Sequence, residues 1–127
     1  MRRPRVLLAD DYVPLHRALS RLLAPSCDVV GSVSDGLQAV EAARRQQPDV
    51  VVIDHRMPGV NGLHACREIT AASPGTRVIV LTAEDDADLR ARALEAGATA
   101  LIVKSRAATD LMPAIEALTA SGRPNTP

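Results

Sequence analysis

The sequence predicts an open, doubly wound α/β sheet, with five parallel strands alternating with five helices in one domain. Three observations predict it. Short apolar, β-branched runs recur along the chain, and each is followed by apolar residues at helical spacing. The links between them are too short for anything but right-handed crossovers between parallel strands. The run VVVID, residues 50–54, has β-branched residues at consecutive positions, which suits a strand buried on both faces.

Val6–Ala9 is the first strand and ends at Asp10-Asp11. Leu15, Leu19, Leu22 and Leu23 mark the first helix, with Pro14 in its first turn and Ala24-Pro25-Ser26 at its end. Val29–Val33 is the second strand. Ser34-Asp35-Gly36 then caps a helix running through Glu41 to Arg45, with Leu37, Val40 and Ala43 expected inward. Val50–Ile53 is the third strand, and Pro58-Gly59 and Asn61-Gly62 mark the loop after it. Leu63, Cys66, Ile69 and Thr70 trace the third helix, stopped by Ser73-Pro74-Gly75. Val78–Leu81 is the fourth strand, ending at Thr82. The helix that follows is expected over Glu84–Glu95, with Gly97 near its C-terminal cap. Ala100–Val103 is the fifth strand and ends at Lys104. Leu111, Met112, Ile115 and Leu118 set the last helix. The folded domain is expected over residues 5–120, and the polar stretch 121–127 reads as a linker or frayed tail.

Composition excludes several functions. Basic and acidic residues balance at 15 each, so charge provides no nucleic-acid surface. Tyr12 is the sole aromatic residue, which excludes base-stacking platforms. No apolar run approaches membrane-spanning length. Cys27 and Cys66 lack metal or redox spacing and read as core residues of a cytoplasmic protein. The histidines, His16, His55 and His64, show no ligand spacing with the cysteines, and strand alternation turns His55 away from the face of Asp54. Dinucleotide and P-loop glycine motifs are absent.

The strand ends carry the chemistry. Sites in such sheets lie beyond the carboxyl ends of the strands. Those ends hold Asp10, Asp11, Asp54, Thr82 and Lys104. Singly, each has an ordinary explanation: a helix cap for the acidic pair or Thr82, a turn for Asp54, a solvated surface for Lys104. Their convergence on one rim does not. Clustered carboxylates repel unless a cation intervenes, and Mg²⁺ is the usual hard cation beside phosphate. Lys104 is a point charge for a phosphoryl oxygen and Thr82 a hydroxyl donor. The set suits phosphoryl transfer to a carboxylate.

These residues, within LLADD, VVVIDHRMPGVNG, VIVLTA and ALIVKS, make the chain resemble the receiver domain of two-component response regulators over about Arg5 to Ala120. The resemblance implies a flavodoxin-like sheet in the order 2-1-3-4-5. It implies that Asp54 accepts a phosphoryl group from the phosphohistidine of a sensor histidine kinase. Asp11, Asp54 and the backbone carbonyl of Arg56 would hold Mg²⁺, with Asp10 acting through water. Thr82 and Lys104 would hold the phosphoryl oxygens. The family's usual aromatic switch position is Leu101 here, and Ser105 follows the lysine, as in members with a NarL/LuxR-type helix-turn-helix output. Arg56 and Glu84, opposite in charge, are expected to border the phosphoryl site and pair across it. A homodimer on phosphorylation and a transcriptional output outside this stretch are further expectations. The domain itself is expected to bind neither nucleic acid nor membrane, and to be a switch rather than a turnover enzyme. Two alternatives stay open: a phosphate-independent contact module, which Leu101 would suit, and a Mg²⁺-dependent aspartyl phosphatase. The phosphatase would want an aspartate where Arg56 stands.

Overall fold

The computed structural model describes residues 3–57 and 59–120; Pro58 and the expected tail 121–127 lie outside the described residues. The elements alternate as β1 (Arg5–Ala9), α1 (Val13–Leu23), β2 (Asp28–Val33), α2 (Gly36–Gln46), β3 (Val50–Asp54), α3 (Gly62–Ala72), β4 (Arg77–Thr82), α4 (Ala87–Glu95), β5 (Ala100–Val103) and α5 (Ala107–Ala120). The strands form one parallel sheet in the order β2-β1-β3-β4-β5.

Two apolar cores cover the two faces of the sheet. Val6, Leu8, Val50, Val52, Ile79 and Leu81 meet Leu19 and Leu23 of α1 and Leu111 and Ile115 of α5. Leu7, Val51, Ile53, Val78 and Val80 meet α2, α3 and α4 on the opposite face. Strand alternation thus sends neighbouring β-branched residues into different cores, so β3 is apolar throughout until Asp54. Cys27 and Cys66 are free and buried, one in each core.

Local chemistry sets the helix starts. Asp35 accepts the amide of Gln38 at 2.8 Å, Asn61 that of His64 at 2.9 Å, and Asp86 those of Asp88 and Leu89. Two sequence expectations change, and the start of the last helix is added. Leu37 points outward, 67% exposed. The buried arc of α2 is centred on Gly36, Ala39 and Ala43, and Leu37 lies about 100° round from Gly36. The fourth helix starts at Ala87, because the Asp86 cap closes its first turn there; Glu84 belongs to the preceding loop. The last helix starts at Ala107, and a single 3₁₀ turn over Lys104–Arg106 links it to β5.

Candidate functional site

Strand register assembles the site. Ala9 pairs with Ile53, which sets Asp10 beside Asp54. Asp54 pairs with Leu81, so Thr82 stands one step beyond it; Thr82 pairs with Val103, so Lys104 stands one step further again. The five expected residues therefore meet on the carboxyl rim of β1, β3, β4 and β5. Asp10 is 1% exposed and Asp54 is 3% exposed, whereas Asp11 opens to solvent.

Lys104 Nζ lies 3.0 Å from Asp54 Oδ2 and 3.7 Å from Asp10 Oδ2. Asp54 Oδ1 accepts the amide of Arg56 at 3.2 Å, and Asp10 Oδ1 accepts that of Tyr12 at 2.8 Å. Neither aspartate caps a helix: Tyr12 precedes α1 and its side chain makes no cap. Asp10 Oδ2 is buried without a hydrogen-bond partner. Burial pushes the Asp10 carboxyl above its ordinary range, and Asp54 adds to this; the Tyr12 amide, Lys104 and His16 work against it.

One carboxylate oxygen each from Asp10, Asp11 and Asp54 lies within 4.8 Å of the others. An all-oxygen donor set that includes a buried, unsatisfied oxygen fits a hard divalent cation such as Mg²⁺.

Thr82 Oγ1 donates to the carbonyl of Glu84 at 3.1 Å, so its hydroxyl is engaged in the β4–α4 loop. Leu101 is 7% exposed and sits in the core that includes Leu89 and Ala93 of α4. A cavity of about 340 Å³ opens over the site, lined in part by Asp54, Arg56, Thr82, Glu84, Arg92 and Lys104. Arg56 and Glu84 both border this cavity. They do not pair: among the described residues no ion pair joins them.

Sequence reasoning missed three residues here. His55 lines the same cavity as Asp54, contrary to the alternation argument, because β3 ends at Asp54 and the chain bends at His55. Burial, Arg56 and Arg92 hold the His55 imidazole below its ordinary value. Arg92 reaches the cavity from α4, and only the packing of that helix reveals it. Gly62 opens α3 directly against Asp54, where a Cβ would collide with the Asp54 carbonyl oxygen. The Asn61-Gly62 pair signals a break, but the close approach depends on where α3 docks.

Sheet order and acidic rim together define a flavodoxin-like α/β domain with a metal-fitting carboxylate cluster beside a lysine. Residues 6–116 match the model of the response regulator receiver domain, and the chain belongs to this family. It is 41% identical over 113 residues to the transcriptional regulatory protein PdtaR of Mycobacterium tuberculosis, covering 88% of this chain and 55% of that protein. It is 32% identical over 121 residues to the response regulator GacA of Pseudomonas viridiflava, covering 94% and 56% respectively. The chain spans about half the length of the curated relatives it matches. Among solved structures, the signal receiver domain of the putative response regulator NarL from M. tuberculosis superposes with a TM-score of 0.89 at 30% identity, covering 97% of this chain and all of that one. The response regulator domain of Thermotoga maritima CheB gives 0.87 at 32% identity, covering 94% and 98%. No described helix is long and apolar enough to cross a membrane.

Proposed function

We propose that this domain is a phosphorylation switch whose acceptor is Asp54. The observation that carries the reading is the Asp54 carboxylate, buried at the sheet rim with Lys104 at 3.0 Å and two further aspartates beside it. The donor is the phosphohistidine of a sensor histidine kinase. An Asp54 oxygen forms a P–O bond as the P–N bond breaks. The imidazole, protonated at its other nitrogen, leaves with the electron pair of that bond as a neutral ring. Asp11, Asp54 and the Arg56 carbonyl would hold Mg²⁺, with Asp10 behind them. When bound, the ion supplies positive charge that offsets the carboxylates and the incoming phosphoryl oxygens. Lys104 moves from the carboxylate to a phosphoryl oxygen. Thr82 releases the Glu84 carbonyl to donate to another, which disturbs the β4–α4 loop.

This assigns regulation rather than turnover, in the cytoplasm, with a transcriptional output and a homodimer of the phosphorylated form. The name of the PdtaR relative, a transcriptional regulatory protein, supports the transcriptional part of this reading. The contact-module reading draws on one observation: Leu101 is apolar and already buried, so no aromatic ring rotates there. Acetyl phosphate with Mg²⁺ separates the two. Intact-mass spectrometry is expected to show one added phosphoryl group on the wild type and none on Asp54→Ala. Equal labelling of both moves the acceptor elsewhere, and no labelling of either favours the contact module. Continuous phosphate release over many turnovers would instead identify a phosphatase.

A further inference from the structure

The acceptor cavity has a cationic wall that the proposed mechanism does not use. Arg92 lines it from α4, facing Arg56 and His55 of the β3–α3 loop. The same three residues line a second cavity of about 650 Å³, between α3 and α4, that includes Asp11.

The Arg92 guanidinium is held by Asp88, with Nε 3.1 Å from Oδ2. Asp88 lies one turn nearer the start of α4, so the pairing directs the guanidinium toward the rim of the site. Both side chains are largely exposed, and such an i,i+4 pair is weakly held. A phosphoryl group on Asp54 carries close to two negative charges, about one more than the free carboxylate, and places them further out into the cavity. Lys104 already serves both Asp54 and Asp10. The guanidinium donates one bond to Asp88, from Nε, whereas its fork can donate two in parallel to a phosphoryl group of higher charge.

We infer that Arg92 is a second reader of the phosphoryl group, exchanging Asp88 for the phosphorylated Asp54 and so carrying the signal into α4. The inference rests on Asp54 being the acceptor. It supplies a mechanical coupling that Leu101 does not. Arg92 lies between Leu89 and Ala93, the two α4 residues buried in the same core as Leu101, so displacing Arg92 bears on the packed face of the helix. Arg56, by contrast, sits on a loop, and its movement shifts no helix.

The test titrates beryllofluoride with Mg²⁺ into wild type, Arg92→Gln, Arg92→Lys and Asp88→Asn. Binding is followed by fluorine NMR, and hydrogen exchange is measured across residues 87–95. Arg92→Gln should raise the half-saturating concentration severalfold and abolish most of the exchange change in α4. Arg92→Lys should fall between it and wild type. Asp88→Asn, which removes the competing partner, should lower the half-saturating concentration. Exchange in β1 and β3 controls for folding. If Arg92→Gln matches wild type in either half-saturation or α4 exchange, the inference is overturned while Asp54 remains the acceptor. If wild type neither binds beryllofluoride nor takes a phosphoryl group from acetyl phosphate, the reading beneath it falls instead.

Discussion

A side chain at position 62 would collide with the carbonyl oxygen of Asp54, whereas one at position 75 would meet nothing within 4 Å. The two glycines therefore make a matched pair. Gly62→Ala should destabilise by about 1–3 kcal/mol through overpacking, while Gly75→Ala should be neutral or slightly stabilising. Urea melts of both variants check this, and equal midpoints would mean that α3 shifts freely. Cys66 allows a second residue-level expectation. Burial pushes its thiol from 9.0 up to about 11. The folded form keeps the proton after the unfolded form has lost it, so this stability is present below pH 9 and lost as pH rises toward 11. The loss is on the order of 2 kcal/mol. Cys66→Ala should therefore lose less stability than wild type between pH 9 and 11, measured by thermal melts across that range.

Loops and helix starts were the least legible elements, for a physical reason. Strand ends announce themselves, because a buried apolar run must stop where the chain meets water; Asp54, Thr82 and Lys104 were each found this way. Helix starts depend on which of several polar residues wins the free amides. Asp86 wins in α4, so Glu84 falls in the loop. The inward face of α2 depends on how closely Gly36 and Ala39 let it approach, which left Leu37 outside. Charge pairing across two loops is less legible still: Arg56 and Glu84 share a cavity and make no ion pair. Their effects on phosphate loss should then be independent. Arg56→Ala and Glu84→Ala are each expected to change the half-life of phosphorylated Asp54, and the double variant should show the product of the two changes. A double variant that departs severalfold from the product would reveal a pair formed only after phosphorylation.

At the scale of the whole molecule, the site opposes the fold that builds it. The two apolar cores stabilise the sheet, while its rim carries three carboxylates, two of them buried, with Lys104 as a shared counter-charge. Asp10 Oδ2 lies buried without a hydrogen bond, an arrangement that costs free energy and persists where function requires it. A divalent cation that binds the folded chain offsets that cost by mass action. At about 100 times its dissociation constant it adds about 2.7 kcal/mol. Wild-type melting temperature should therefore rise by several degrees on adding Mg²⁺. Asp10→Asn removes one buried charge and leaves a neutral amide of the same shape. In metal-free buffer it should melt above the wild type, and its gain from Mg²⁺ should shrink. Thermal melts followed by circular dichroism, with chelator and with millimolar Mg²⁺, measure all four states. A wild type that does not respond to Mg²⁺ would remove the cation from the site. An Asp10→Asn variant less stable than wild type without metal would mean that Lys104 alone already balances the buried carboxylates, leaving the cation no deficit in the fold to fill.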